Sequence, residues 1–295
     1  MVRAQVTLIP SESKKLVADA IAETDLIKKA REKGIIVVHP SSTTLFLIER
    51  LIGRRPQGIW VCGLVLPKGL CISREYQREY EGTGLFARMG SHERHDMGQN
   101  PFAWVLEKGV FQTGIPLVSL LSKMGKGDVY VKGANAVDPD RKVGVLYGSV
   151  GAGTVGRVIA ASRRKGFTIL LPIGLEKLIP TSIAHAAKRA SLKAEWAMGI
   201  PVGLIPVPGT VVTEVEAVSI LSGATATVIG AGGLAGAEGA VTFVIRGSKE
   251  KVDRALQAVR AVKGATLPEV LPGECPSCRY ATCHLRPNRQ KEQTI

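Results

Sequence analysis

Residues 128–180 read DVYVKGANAVDPDRKVGVLYGSVGAGTVGRVIAASRRKGFTILLPIGLEKLIP, and we expect the fold to be organised around them. The pattern predicts an apolar strand at 143–147, a glycine-rich turn, a helix and a second apolar strand at 167–171. A strand, a crossover helix and a second strand in this order are typical of a βαβ unit. The stretch therefore predicts one βαβ unit in an α/β fold.

The turn of this predicted unit carries three glycines, Gly151, Gly153 and Gly156. Glycines allow backbone N–H groups to approach a ligand, and the positive end of the helix dipole would lie directly behind them. This combination suits a phosphate group. The sequence therefore predicts a binding site more directly than it predicts a reaction.

The whole chain has 295 residues, a length typical of about two domains. Hydrophobic residues make up 45% of it, which is enough to form a buried core. We expect a Rossmann-like, mainly parallel sheet domain over residues 1–200. After a proline-rich stretch, the order strand, helix, strand, strand, helix indicates a small ferredoxin-like α+β domain over 201–271. A basic tail that contains cysteines would follow at 272–295.

Net charge and composition indicate which kinds of partner this protein binds. The net charge of +14 favours an anionic partner, but the basic residues are scattered and only 5% of the residues are aromatic, which disfavours nucleic-acid binding. The N-terminus shows no signal peptide and no run of eighteen apolar residues occurs, so we predict a cytoplasmic protein without a membrane partner. We also expect a homo-oligomer.

A second strand-and-turn pattern lies upstream. Residues 35–38 predict a short buried strand, and the sequence His39-Pro40-Ser41-Ser42-Thr43-Thr44 leads from it into a helix at 45–51. Four consecutive hydroxyl side chains at a helix start can serve as caps or can contact a ligand. Both interpretations stay open for this turn.

Residues 151–156 also match the G-x-G-x-x-G pattern of dinucleotide-binding proteins. Such a site needs an acidic residue at the end of the next strand to bind the ribose. Here that strand ends in Leu171-Pro172-Ile173-Gly174, and Glu176 comes too late. An NAD(P)-binding oxidoreductase is therefore only an alternative hypothesis, and we predict no organic cofactor.

The five cysteines fall into two groups. Cys62 and Cys71 lie in predicted apolar strands, and we expect them to be inert core residues. The tail contains a C-x-x-C pair with a further cysteine and a histidine behind it, a spacing typical of zinc sites. The expected ligands are Cys275, Cys278, Cys283 and His284. Zinc is the expected metal, an iron–sulfur cluster is the alternative, and free thiols in an unstructured tail are the third interpretation.

Four short segments occur in a fixed order: PSSTT at 40–44, KGANAVD at 132–138, GAGT at 151–154 and LEK at 175–177. In this order they resemble motifs of the superfamily that holds ribose-5-phosphate isomerase, glucosamine-6-phosphate deaminase and the coenzyme A transferases. The counterparts there are a phosphate-binding G-S-T turn, the D-G-A-D-E-x-D segment, a glycine-rich loop and a short segment whose lysine contacts phosphate. The resemblance covers roughly residues 35–265.

The resemblance implies a phosphate site at the carboxyl ends of the parallel strands. Its implied ligand-binding residues are Ser41, Ser42, Thr43, Thr44, Gly133, Asn135, Gly151, Gly153, Thr154, Arg157 and Lys177. Asp138 and Glu176 are the nearby acid–base candidates.

The departures from that superfamily concern its carboxylates. Lys132 and Asn135 replace two aspartates, Ala136 replaces a glutamate, and the expected general base falls near Arg157. An arginine cannot accept a proton from a sugar carbon, so isomerase chemistry is not expected. Three functions stay open: an enzyme acting on a sugar phosphate or coenzyme A ester, a sensor that binds such a ligand, or a metal-dependent regulatory protein.

Overall fold

A computed structural model describes residues 1–81 and 102–285. The protein is a mixed α/β structure with one six-stranded mixed sheet and three smaller sheets. The strands are β1 Val2–Leu8, β2 Ile35–Val38, β3 Gly63–Leu66, β4 Gly69–Ile72, β5 Trp104–Glu107, β6 Val110–Gln112, β7 Val129–Val131, β8 Ala136–Val137, β9 Val143–Tyr147, β10 Thr168–Pro172, β11 Gly203–Val207, β12 Thr210–Val212, β13 Thr225–Gly232 and β14 Ala240–Gly247. The helices are α1 Pro10–Ala22, α2 Asp25–Lys33, α3 Ser42–Ile52, α4 Arg74–Tyr80, α5 Leu117–Lys123, α6 Gly153–Lys165, α7 Ile183–Arg189, α8 Glu214–Ser222 and α9 Lys249–Val262.

The six-stranded sheet has the order β12-β10-β7-β2-β5-β6. The pairs from β12 to β2 are parallel, whereas β5 and β6 are antiparallel additions at the other edge. Its central strands are apolar at every position because both faces are covered. Ile36 and Val131 belong to the core on one face, and Val37 and Tyr130 belong to the core on the other.

The predicted βαβ unit at the glycine turn is wrong in its first strand. β9 lies in a separate antiparallel sheet of order β11-β9-β8, whereas β10 lies in the six-stranded sheet. The parallel neighbour of β10 that precedes it is β7, so the β8–β9 hairpin and α6 both lie in the connection between those two strands. An apolar run shows that a strand is buried but does not show which sheet receives it.

Strands from both sides of residue 200 share sheets. β1 pairs with β14 over seven residues in the three-stranded sheet β1-β14-β13, β11 pairs with β9, and β12 pairs with β10. The segment 201–271 therefore joins its strands to those of the segment 1–200. The sequence predicts a final strand at 266–270, but these residues are irregular backbone.

Two predicted helices differ in length. Apolar positions at helical spacing predict one helix over residues 11–33. The structure interrupts it at Thr24, whose side chain caps α2 by accepting a hydrogen bond from the Ile27 amide. The sequence also predicts a helix over residues 183–198, but that helix ends at Arg189. Hydrophobic spacing was continuous across both interruptions, so spacing alone did not indicate them. No helix within residues 1–81 and 102–285 has the length and apolar character needed to cross a membrane.

The described part of the tail, up to Leu285, is docked against the body of the protein. The Gly273 amide donates a 2.8 Å hydrogen bond to the Ile72 carbonyl at the end of β4. The His284 amide donates a 2.9 Å hydrogen bond to the Gly199 carbonyl. Residues 286–295 of the predicted basic tail lie outside the described residues.

Candidate functional site

A cavity of about 440 Å³ opens at the carboxyl ends of β2 and β7. The two strands end side by side, since the His39 amide donates a 2.8 Å hydrogen bond to the Val131 carbonyl. The cavity is lined by parts of the 39–42 turn, the 60–65 segment, β4, the 132–135 loop, the β9–α6 connection, Lys177, Ile200, Val202 and Tyr280. This position is where ligands bind in open parallel sheets.

Seven of the residues predicted to bind a ligand line this cavity: Ser41, Ser42, Gly133, Asn135, Gly153, Thr154 and Lys177. The other four are Thr43, Thr44, Gly151 and Arg157. Thr43 and Thr44 are buried in α3, whereas Gly151 and Arg157 are exposed.

The hydroxyl side chains of the 41–44 turn were expected either to cap the helix or to contact a ligand, and the structure gives them different positions. Ser41 is the N-cap of α3, and its Oγ accepts from the Thr44 amide at 3.4 Å. The Thr44 hydroxyl donates at 2.6 Å to the His39 carbonyl. Thr44 therefore holds the turn in shape, while Ser41 and Ser42 both line the cavity.

Glycine is required at two points of the lining. A Cβ on Gly133 would lie 2.5 Å from Ser41 Oγ, so the 132–135 loop can approach the turn only without a side chain. Gly153, the first residue of α6, has a φ of +53°, and a Cβ there would lie 2.7 Å from Ser149 Oγ. Because both residues are glycines, the backbone of the 132–135 loop can lie close to Ser41 and the start of α6 can lie close to Ser149.

Lys132 follows β7 directly and extends into the cavity, where it is half-buried. Burial lowers the pKa of its ammonium group from 10.5 to about 8. Burial likewise raises the pKa of Cys62 to about 12, so that thiol stays protonated at neutral pH. A cavity lysine with this pKa exists as both ammonium and free amine near pH 8.

His39 follows β2 in the same way and lies beside Lys132. Burial and then the Lys132 charge lower its pKa well below 6.5, so the imidazole is neutral. Its Nδ1 lies 3.1 Å from the Tyr130 hydroxyl. Burial raises the pKa of that hydroxyl, so the pair is a neutral hydrogen bond that can orient the imidazole.

Lys177 also lines the cavity and belongs to a network of charges. Its ammonium lies 3.9 Å from Glu176 Oε1, and Lys14 Nζ lies 3.1 Å from the same oxygen. Burial lowers the pKa of Lys177, and Glu176 opposes that effect. Glu176, a predicted acid–base candidate, is not among the residues that line the cavity, and it forms an ion pair with Lys14.

Glu214 extends this network beneath Lys177. Both of its carboxylate oxygens accept from the Leu175 amide, at 3.1 and 3.0 Å. Burial raises the pKa of Glu214 to about 7, and the Glu176 charge adds to the shift. Sequence reasoning missed this residue because its partner segment is far away in the chain.

Asp138, the other acid–base candidate, lies outside the lining. Its Oδ1 accepts from the Lys142 amide at 2.8 Å, and its Oδ2 accepts from the Ile183 amide at 2.9 Å. It is 1% exposed. In this position Asp138 holds the β8–β9 hairpin to the start of α7.

The tail residues predicted to bind a metal lie near one another. Cys275, Cys278 and Cys283 line a second, small cavity of about 20 Å³, and Cys71 of β4 lines it too. His284 is buried elsewhere, with its Nδ1 accepting from the Ala197 amide at 3.0 Å. Across the described ranges, no three His, Cys, Asp or Glu side chains are arranged to hold a metal ion as they stand.

The residues that line the cavity but were not predicted as site residues include His39, Lys132 and Cys62. Two of them carried a usable signal, because a polar residue directly after a fully apolar parallel strand lies at the edge where ligands bind. The expectation that Cys62 and Cys71 are inert core residues is wrong in part, since both are half-buried and line cavities.

Comparisons with known protein families, with curated proteins and with solved structures give no match. The function must therefore be argued from the geometry and chemistry of the site itself.

Proposed function

We propose that this protein binds a phosphorylated small molecule in the 440 Å³ cavity at the ends of β2 and β7. A sugar phosphate, a nucleotide or a coenzyme A ester has the required chemistry. We also propose that the parallel half of the main sheet is Rossmann-like, as in the sugar-phosphate-isomerase superfamily, and that the chain acts in the cytoplasm as a homo-oligomer.

The observation that carries the proposal is the charge of the cavity. Among the described residues of the lining, the charged side chains are Lys132 and Lys177, and no aspartate or glutamate accompanies them. A positively charged cavity without carboxylates attracts anions and repels cations. Each lysine is partly desolvated, which strengthens its attraction for a bound phosphate.

The neutral part of the lining supplies matching hydrogen-bond donors. The N-terminus of α6, at Gly153 and Thr154, lines the cavity, and the amides in the first turn of a helix have no partner within that helix. The hydroxyl-bearing residues Ser41 and Ser42 line the same cavity. Phosphate oxygens accept from both kinds of donor.

A second candidate function follows from the pKa of Lys132. With a pKa of about 8, about a tenth of this lysine is free amine at pH 7. A free amine in a cavity can add to a ligand carbonyl and form an imine with loss of water. Reduction of such an imine by borohydride, followed by mass spectrometry, would locate the adduct on Lys132; absence of the adduct with every carbonyl ligand that binds contradicts this function.

The binding proposal is tested with sugar phosphates, nucleotides, NAD(P) and acyl-coenzyme A species in a thermal-shift assay, followed by calorimetric titration of each ligand that stabilises the protein. We expect stabilisation by at least one phosphorylated compound and none by its dephosphorylated counterpart. Stabilisation by NAD(P) alone would favour the oxidoreductase alternative. Stabilisation by none of the compounds would remove the proposal.

A matched pair of glycine variants tests the location. Gly133→Ala places a methyl group 2.5 Å from Ser41 Oγ and is expected to abolish binding. Gly230→Ala, in β13, meets nothing within 4 Å and is expected to bind as the wild type does. Equal binding by the two variants would place the ligand elsewhere.

A further inference from the structure

The small cavity beside the main one is lined by four cysteines from two distant parts of the chain. Cys275, Cys278 and Cys283 come from the tail, and Cys71 comes from β4. Each thiol is half-buried.

We propose that Cys71, Cys275, Cys278 and Cys283 bind one Zn²⁺ ion as a four-thiolate site. Binding would release the four thiol protons, and each sulfur would turn about its Cα–Cβ bond to face the ion. The fourth ligand is then Cys71 in place of His284, which does not line this cavity and uses its Nδ1 to accept from Ala197.

A lysine stands where a four-thiolate site needs a positive charge. Lys68 Nζ lies 3.5 Å from Cys275 Sγ and donates at 3.3 Å to the Gly273 carbonyl. Four thiolates around Zn²⁺ carry a net charge of about −2, so a neighbouring ammonium offsets part of that charge. The turn that carries Lys68 also connects β3 to β4, the strand of Cys71.

The size of the cavity favours a single ion. Its volume is about 20 Å³, which is enough for one water-sized particle. An iron–sulfur cluster of several iron and sulfide atoms needs more space than this. Cysteine thiolates in a tetrahedral set are the preferred surroundings of structural zinc.

The proposed site shares a wall with the main cavity. Cys71, Ile72, Ile200 and Tyr280 line both spaces. Tyr280 lies between two of the proposed ligands, and its hydroxyl donates at 3.2 Å to the Gly148 carbonyl beside the glycine turn. Zinc would therefore hold the tail in place and fix one wall of the ligand cavity.

The metal itself is tested on the wild-type protein. After purification without chelators, we expect elemental analysis to find about one zinc per chain and no stoichiometric iron. Exchange with Co²⁺ should give the charge-transfer and visible bands of four sulfur ligands. Absence of any metal, a disulfide among these cysteines in the purified protein, or iron together with sulfide would each overturn the proposal.

Single variants test the ligand assignment. Cys71→Ser is expected to weaken zinc binding by more than about 100-fold. The matched control is Cys62→Ser, which removes the cysteine that does not line the small cavity and should leave zinc affinity unchanged. If His284→Gln loses zinc while Cys71→Ser keeps it, the fourth ligand is the histidine and the proposal is wrong. Should Cys71→Ser fail to fold, the wild-type cobalt spectrum still separates four sulfurs from three sulfurs and one nitrogen.

Hydrogen exchange tests the shared wall without any ligand in the main cavity. The Ile200 amide donates to the Leu70 carbonyl in β4, and the His284 amide donates to the Gly199 carbonyl. They should exchange at least about tenfold faster in the metal-free protein than in the zinc-loaded protein. Equal rates in the two forms would show that zinc does not hold this wall.

Discussion

The two lysines of the main cavity have opposite surroundings. Lys132 lies at the end of β7 beside a neutral histidine and a protonated thiol, whereas Lys177 lies 3.9 Å from a glutamate that also binds Lys14. Burial lowers the pKa of both. Within residues 1–81 and 102–285, no carboxylate forms an ion pair with Lys132, so its charge is available to a ligand, while the charge of Lys177 is already offset in part by Glu176. The difference assigns Lys132 the larger part in binding an anion.

The largest expected effect comes from removing Lys132. Lys132→Met should weaken binding of the phosphorylated ligand by about 10- to 100-fold, the usual value of a charge-assisted hydrogen bond. Calorimetric titration measures this, and Lys126→Met is the control because it removes an exposed lysine elsewhere. Since burial penalises the Lys132 ammonium, the variant should unfold at no lower temperature than the wild type at pH 7. A loss of binding in the control of the same size would point to net charge instead of this contact.

The pH dependence of binding follows from the same lysine. Lys132 has a pKa of about 8, so it is mostly protonated at pH 7 and mostly neutral at pH 9. Affinity for an anion whose own charge is constant in this range should fall about tenfold between these pH values. The Lys132→Arg variant keeps its positive charge in this range, so its affinity should change little between pH 7 and pH 9. An equal fall in the two proteins would assign the titration to another group.

Glu214, in the charge network around Lys177, is tested through the stability of the protein. The pKa of Glu214 is raised to about 7 in the folded protein from an ordinary value near 4.5. Between these values the folded state binds more protons than the unfolded state, so this carboxyl lowers the free energy of unfolding as pH rises from 4.5 to 7. Glu214→Gln should remove that loss, worth at least about 1 kcal/mol at pH 8. Denaturant unfolding of both proteins at pH 5 and pH 8 measures it; a difference that is the same at both pH values would contradict the shift.

The smallest expected effect comes from Lys177. Lys177→Met should weaken ligand binding only about threefold, because Glu176 already offsets much of its charge. The double variant Lys132→Met with Lys177→Met should then lose about the sum of the two free energies. A larger loss from Lys177→Met than from Lys132→Met would reverse the comparison between the two lysines.

Local signals predicted many of the elements correctly. The apolar run at 35–38 is β2. The sequence also predicts a strand at 129–131, which is β7, and a helix at 249–262, which is α9 at both ends. The predicted turns at Ser41 and Gly153 both reach the cavity. These signals succeed because burial on both faces, helix capping and glycine geometry act over a few residues.

The sequence did not predict which distant segments of the chain contact each other. Glu214 approaches Leu175, and Cys71 approaches the tail cysteines, only because separate strands bring them together. The spacing in the tail predicted Cys275, Cys278, Cys283 and His284 as a set, but it could not indicate that Cys71 of β4 lines the same small cavity as the three tail cysteines. A hydrophobic strand pattern carries no information about its partner strand, so the sheet that holds β9 was also missed.

The sequence by itself determined the α/β class of this protein, the glycine turn at the start of α6, the hydroxyl-rich turn before α3 and the closely spaced cysteines of the tail. These features depend on the preferences of neighbouring residues. The tertiary structure decided that Lys132 and Lys177 enter one cavity with different surroundings, and that Cys71 joins the tail cysteines. Charge, burial and ligand geometry at these sites arise from contacts between distant segments, which exist only once the sheets are assembled.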